Sequence, residues 1–284
     1  MKRPDIVILT HARQGLDPGY SLAAIAEQFW RPQGRTVVVH QGLGPPPPAE
    51  LAILHVDLTR VPGPYIACAA GFPRALNGAV RDISKRLVAD GLVLPGDGYD
   101  GPMVVKTDLN HRGAAERALA RAMQGRIGRA TAALRRALPP RWTGGLPGGD
   151  YQVYRRPGEV PAWVWRRPEL VVQRLFTERR RGLYALNQWY FLGQAEVVST
   201  LLSPQPFVNM ATVVERLPLH GEVPESLRAR RAALGFDYGK FDYVVEQGEA
   251  RLLDANKTPH LAGDPPTTER MMAVHRILAA GLEA

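Results

Sequence analysis

The sequence predicts a mixed α/β protein, and three observations carry that expectation. Short aliphatic runs alternate with a helical pattern in the N-terminal quarter, strand-like runs broken by proline follow later, and an acidic hairpin precedes a C-terminal helical segment. The chain has 284 residues, 45% hydrophobic and 22% charged, a globular balance with length for about two structural units. It carries 36 Lys+Arg against 27 Asp+Glu, a formal charge of +9. That excess favours acidic partners without choosing among nucleic acid, nucleotide phosphates, carboxylate substrates and anionic membranes. Cys68 is the only cysteine, which excludes an intramolecular disulfide and any multi-cysteine metal site and suits a reducing compartment. Ile6 to Leu9 are too few consecutive aliphatics for a signal-peptide core or a membrane span, so a soluble, cytoplasmic protein is expected.

Residues 5–10 read as a buried strand, followed by a Gly/Pro loop and by SLAAIAEQFW, whose apolar residues recur at helical spacing. TVVVH (36–40) and LAILHVDL (51–58) are further strand runs, so residues 1–72 are expected to form a small parallel α/β layer. Gly42 and Gly44 give only G-x-G with no helical pattern directly after, which leaves a dinucleotide fingerprint unsupported. RALNGAVRDISKRLVADGLVL (74–94) reads as an amphipathic helix ending near Gly91. Residues 102–110 form a strand and its exit loop. Residues 113–138 read as a helical stretch with Leu119, Met123, Ile127, Leu134 and Leu138 on one side. Arg117, Arg121, Arg129, Arg135 and Arg136 fall mostly on the other, as a solvated face or a surface for phosphate or an acidic partner. The Gly/Pro-rich 139–150 is read as a mobile connection and a candidate lid tip. Strand-like runs at 151–156, 169–176 and 184–202 suggest antiparallel pairing. A helix at 226–236, a hairpin turning at Gln247-Gly248 and a last helix begun by Thr268 and Glu269 complete the chain.

The hairpin carries the chemistry, because it places acids where a core strand ordinarily has none. Asp242 and Asp254 are equidistant from position 248 and can be cross-strand neighbours, while Asn256, two residues on, shares the face of Asp254. Two carboxylates and an amide oxygen make a hard-oxygen site suited to Mg²⁺. Lys106 lies inside the aliphatic strand MVVKT, where a lysine must snorkel or meet an anion. The loop TDLNHRGAAE after it offers backbone N–H groups ahead of a helix, a natural phosphate cradle. There is no Walker-A pattern. Cys68 reads as a small buried apolar residue, Trp163, Trp165 and Trp189 as packing, and Lys240 as a surface lysine. His55 and His111 are isolated, and His260 beside the acidic motif is either a loop histidine or a substrate contact.

Over residues 73–262 these features resemble the ATP-grasp superfamily. The resemblance implies an ATP-grasp fold behind a Rossmann-like α/β pre-grasp domain, with units at 1–72, 73–170 (a lid subdomain) and 171–284 (the Mg²⁺ subdomain). ATP and Mg²⁺ are the implied cofactors. Lys106 and the loop from Asn110 to Gly113 look like the family's strand lysine and phosphate loop, and Lys85 like a second phosphate lysine. Gln173, Arg174 and Leu175 resemble the linker whose backbone meets the adenine edge. Asp242, Asp254 and Asn256 match the metal ligands, NKTPH (256–260) resembles the Asn-x-Thr-Pro ending, and the spacing of the two aspartates is similar to that of ribosomal-protein glutamate ligases. Two departures stand out. The loop NHRG has a single glycine, and Asn187 and Gln188 stand where relatives commonly place an arginine for the transferred phosphate. Arg179, Arg180, Arg181 and Lys257 are the candidates to replace that arginine, and Arg180 and Lys257 those to neutralise a substrate carboxylate on a small acidic metabolite or an acidic peptide end. The implied function is an ATP- and Mg²⁺-dependent ligase that activates a carboxylate as an acyl phosphate for an amine or similar nucleophile. An ATP-grasp kinase and a non-catalytic binding protein for an acidic partner or RNA stay open beside it. The expected partner is a small-molecule or peptide carboxylate, with no membrane, nucleic acid not favoured, and a homodimer left open.

Overall fold

In the computed structural model, which describes residues 3–123, 138–143, 145–260 and 265–282, the first aliphatic run forms a strand buried at all five positions, Ile6–Thr10 (β1). Only a strand covered on both faces tolerates that pattern. It lies at the centre of a parallel sheet with Val37–Gln41 (β2), Leu51–His55 (β3) and Arg74–Leu76 (β4), in the order β2-β1-β3-β4. The parallel layer therefore runs past residue 72 to Leu76. Ile6 and Ile8 pack under Ser21–Ile25 (α1) and the π-helical turn Ala26–Trp30 that continues it. Val7 and Leu9, on the opposite face, pack under Gly63–Ala70 (α2).

The helix expected over 74–94 does not form; only Lys85–Val88 (α3) is helical. Asn77 turns the chain at φ 57°, its Nδ2 donating to the Tyr238 carbonyl at 2.7 Å and its Oδ1 accepting the Asp237 amide at 2.9 Å. Val80 and Ile83, from an irregular segment, and Val88, at the end of α3, are buried against the large sheet. Long-range packing overrides local pattern there.

Two antiparallel sheets follow, as the proline-broken runs predict. The smaller has Met103–Thr107 (β5) between Gln152–Tyr154 (β6) and Leu170–Arg174 (β7). The larger comprises Glu178–Arg180 (β8), Leu183–Leu192 (β9), Ala195–Ser203 (β10), Glu215–Arg216 (β11), Tyr238–Glu246 (β12) and Glu249–Asn256 (β13). Its order is β11-β10-β9-β12-β13, with β8 also on β9. One face buries Trp189, Phe191, Phe241, Tyr243, Leu252 and Ala255, with Leu227 of Glu225–Ala233 (α4) among the covering residues. At one end of the other face Tyr190, Leu192 and Tyr238 join the core under α1, together with Val274 and Leu278 of Pro265–Ala279 (α5). The rest of that face floors a cleft closed by the small sheet.

Residues 114–123 are helical, with Leu119 packed against the N-terminal core and Met123 exposed. Ile127, Arg129, Leu134, Arg135 and Arg136 lie outside the described residues. Cys68 packs half-buried on the N-terminal core and Trp189 is buried in the large sheet, both as packing residues. Among the described residues no helix is long and apolar enough to cross a membrane.

Candidate nucleotide and metal site

The hairpin turns through two left-handed residues, Gln247 (φ 53°) and Gly248 (φ 82°), the backbone a two-residue type I′ loop requires. Glu246 pairs with Glu249, and from there the register runs undisturbed to Tyr243 opposite Leu252. Continued unchanged, it would set Leu253 opposite Asp242 and turn Asp254 toward the core. A β-bulge between Asp242 and Tyr243 absorbs Leu253, so that Asp242 stands opposite Asp254 and Lys240 opposite Asn256. The same bulge explains why Leu252 and Ala255, three residues apart, both enter the core while Leu253 and Asp254 both line the cleft.

On the neighbouring strand, Gln188 stands opposite Asp242 and Tyr190 opposite Lys240. Two adjacent rows thus run across β9, β12 and β13: Gln188, Asp242 and Asp254, which line the cleft with Lys240, then Tyr190, Lys240 and Asn256, of which Tyr190 belongs to the core under α1. Gln188 Nε2 donates to Asp242 Oδ1 at 3.3 Å, and Lys240 Nζ lies 2.9 Å from Asp242 Oδ2. Lys85, 2% exposed at the start of α3, reaches the second carboxylate with Nζ 3.4 Å from Asp254 Oδ1 and also donates to the Leu109 carbonyl at 3.3 Å. Lys106 enters from β5, 7% exposed. The cavity, of about 250 Å³, also takes Arg174 and has an apolar end that includes Leu175, Leu186, Phe207 and Val244. That size is just under the usual span for a small-molecule pocket.

The three lysines differ electrostatically. Burial pushes Lys106 down to about 8, helped by the nearby Lys85 charge and opposed by Asp254. Burial also acts to lower Lys85 and Lys240, but Asp254 holds the first and Asp242 the second above the ordinary lysine value. Lys85 and Lys240 are therefore fixed cations, whereas Lys106 is a cation short of a partner until an anion arrives.

Other sequence candidates are placed as follows. Gln173 donates to the Asp90 carbonyl at 2.8 Å and keeps Oε1 buried without a partner, at the cleft wall with Leu175. Asn110 to Gly113 form a tight turn with His111, Arg112 and Gly113 all at positive φ. The Asn110 amide is held by Thr59 Oγ1 at 2.9 Å, and His111 Nε2 lies 3.1 Å from Asn256 Nδ2. Lys257 does not join the cleft: it is 1% exposed, points into the N-terminal layer and donates to the Leu58 carbonyl. Its odd position relative to Asp254 and Asn256 puts it on the other strand face. Arg180 does not join either, its Nε lying 2.5 Å from Glu178 Oε1 in an ion pair. Asn187 is wholly buried, donating to Glu178 Oε2 at 2.7 Å and accepting from Thr200 Oγ1 at 2.8 Å. His260 is exposed and bridges to Tyr20.

Lys240 is a cleft residue the sequence reading set on the surface. Its two-residue spacing from Asp242 was the signal that it shares the metal face. Tyr151 and Phe207 also reach the cleft, their rings 5.7 Å apart and Phe207 5.8 Å from Lys106 Nζ. Phe207 sits in a Pro-rich loop where no periodicity marks it, and Tyr151 just ahead of β6, at the start of a run read only as a strand.

The floor suits a divalent cation of the Mg²⁺ kind. Asp242 and Asp254 offer paired carboxylates, and Asn256 Oδ1, which accepts the Thr258 amide at 2.9 Å, keeps a second lone pair. Among the described residues no group of three or more His, Cys, Asp or Glu could hold a metal. A metal here would complete its shell with water and ligand oxygens, as Mg²⁺ does.

No protein-family model matches the sequence, and no curated protein matches it. Solved structures similar to the chain include an ATP-grasp RimK domain protein from Sphaerobacter thermophilus, at 15% identity and TM-score 0.46, covering 98% of this chain and 100% of that one. The ATP-grasp ligase PsnB complexed with minimal precursor is similar at 13% identity and TM-score 0.48, covering 98% and 99%. D-alanine–D-alanine ligase from Bacillus anthracis complexed with ATP is similar at 10% identity and TM-score 0.47, covering 97% and 94%.

Proposed function

We propose that the chain is an ATP-grasp ligase that uses Mg-ATP to activate a substrate carboxylate as an acyl phosphate. The observation that carries the reading is the row Gln188–Asp242–Asp254, faced by Lys85 and Lys106, at the ionic end of a cleft with an apolar end for a base. In this reading Lys85 and Lys106 bind the nucleotide phosphates, while Gln173 and Leu175 line the base. Asp242, Asp254 and Asn256 hold Mg²⁺, which supplies charge neutralisation on the transferred phosphoryl group. A carboxylate oxygen attacks the γ-phosphorus and ADP leaves. An amine or similar nucleophile then attacks the acyl carbon, loses its proton and expels phosphate. Lys240, kept protonated by Asp242, acts by charge and not as a base, and it is a cation of the cleft where Arg180 and Lys257 are not.

Asn187 and Gln188, the features that keep a binding-only reading open, have structural occupations: one satisfies Glu178 and the other orients Asp242. Neither argues against turnover. The test is a thermal melt with Mg-ATP followed by phosphate release with panels of carboxylates and amines. Mg-ATP at about 100 times Kd stabilises by roughly 2.7 kcal/mol, which raises Tm measurably. An unshifted melt at millimolar Mg-ATP sinks the nucleotide reading. A shifted melt without phosphate release on any panel leaves a binding protein.

A further inference from the structure

The segment after the metal motif is tied to the N-terminal layer by bonds that the proposed chemistry leaves unexplained. Asp57, just past the end of β3, accepts two hydroxyl hydrogen bonds: Thr258 Oγ1 at 2.6 Å on Oδ1 and Tyr20 Oη at 2.7 Å on Oδ2. Tyr20 also bridges to His260, and the Ser21 amide donates to the Pro259 carbonyl at 2.9 Å. Residues 258–260 are thereby fastened to the start of α1 and the end of β3.

The fastening has a consequence at Asn256. Thr258 Oγ1 also lies 3.4 Å from Asn256 Oδ1, but a hydroxyl has one proton, and the shorter contact to a carboxylate takes it. Asn256 Oδ1 is held instead by the Thr258 backbone N–H, a group that can only donate. This fixes which end of the amide is oxygen and turns Nδ2 toward His111 Nε2. The orientation of Asn256 therefore depends on where the Thr258 backbone sits, and that depends on Asp57.

We infer that Asp57 is a positioning residue for the metal site: through Thr258 it aims the carbonyl oxygen of Asn256 at the cation. The inference rests on the reading of Asn256 as a ligand. It gives the N-terminal layer a part in the site, reached through Thr258. Outer partners that orient metal ligands commonly change metal affinity by about 10–100-fold when removed.

The test uses the full chain and the variants Asp57→Asn, Thr258→Val, Thr258→Ser and Asn256→Ala. Two quantities are measured: the Mg²⁺ concentration giving half of the thermal shift at fixed, non-hydrolysable ATP analogue, and the affinity of that analogue in EDTA by calorimetry. Thr258→Val and Asp57→Asn are expected to raise the Mg²⁺ midpoint at least about ten-fold, with the metal-free affinity held by Lys85 and Lys106 unchanged. Thr258→Ser, which keeps the hydroxyl, is expected to restore the midpoint to within about three-fold. If Asn256→Ala raises the midpoint but Thr258→Val leaves it at the wild-type value, the positioning role is wrong and the metal reading stands. If in Thr258→Val the midpoint rises and the metal-free affinity falls with it, the bond only supports the fold and the inference is overturned. An Asn256→Ala midpoint equal to wild type overturns the ligand assignment and the inference with it.

Discussion

Lys106 carries an electrostatic cost that a ligand would relieve. Its value falls from 10.5 to about 8, chiefly by burial. Because the unfolded chain holds this proton more tightly than the folded one, stability rises with pH between those two values and the penalty is fully present below the lower one. Lys106→Met should therefore raise the apoprotein's stability at pH 7, by up to about 3 kcal/mol, and flatten the rise between about pH 8 and 10.5. The same variant should weaken nucleotide binding by at least about ten-fold, the loss of one charge-assisted hydrogen bond. Urea titrations across that pH range and calorimetry with the ATP analogue check both halves; superimposable stability–pH curves would refute the first. Asn187 makes the opposite case. It donates to a carboxylate that also accepts the Val245 amide at 2.7 Å, so Asn187→Ala leaves Glu178 and Thr200 short of partners deep in the sheet. A loss of about 1–3 kcal/mol in urea, with nucleotide affinity unmoved, is expected.

The β13 bulge is an element with a separable role. Removing Leu253 would let Leu252, Asp254, Ala255 and Asn256 alternate as an ordinary strand, keeping Asp242 opposite Asp254 and Leu252 and Ala255 in the core. The deletion is therefore expected to fold, with a cooperative melt like the wild type's. What it would lose is the doubled presentation of Leu253 and Asp254 to the cleft and the local twist a bulge adds. Weaker binding of the Mg-bound ATP analogue by calorimetry is the outcome anticipated, and full affinity in a folded deletion variant would show that the bulge is idle. The Gln247-Gly248 turn differs, because its two left-handed residues set where the hairpin begins but not which face meets the cleft. The buried pair Leu252 and Ala255 decides that.

Over the whole molecule, one core joins the two ends of the chain. Ile6, Ile8 and Trp30 pack with Tyr190, Leu192, Tyr238 and Leu278, and the Trp30 indole donates to the Ala279 carbonyl at 3.0 Å. The parallel layer has its own core under α2 on one face but buries the other against the large sheet and α5, so removing either part uncovers the second core. Scanning calorimetry should show a single transition, and a fragment starting at residue 77 should fail to give a cooperative melt. Two resolved transitions, or a folded fragment, would contradict this.

The mixed α/β class, the parallel start, the antiparallel remainder and the acidic hairpin were legible because each rests on local pattern. An aliphatic run needs a strand covered on both faces, a Gln-Gly pair between alternating residues needs a tight turn, and a lysine within Met103–Thr107 needs an anion. Period-two alternation held the signal that separates the lysines beside the metal motif, yet Lys240 reads as a surface residue and Lys257 as a site residue, and the structure reverses both. Sequence alone did not say which element covers each face. The 74–94 segment has helical spacing, yet its apolar residues meet a sheet formed more than a hundred residues later, and that contact outweighs a helix propensity of a few tenths of a kcal/mol per residue. Likewise Arg180 and Lys257 read as cations near the site, but Arg180 pairs with Glu178 two residues away on its own strand, and tertiary packing brings the Leu58 carbonyl to Lys257. Local chemistry fixes what a side chain can do, but a buried charge is committed by the partner that folding brings within about 3 Å.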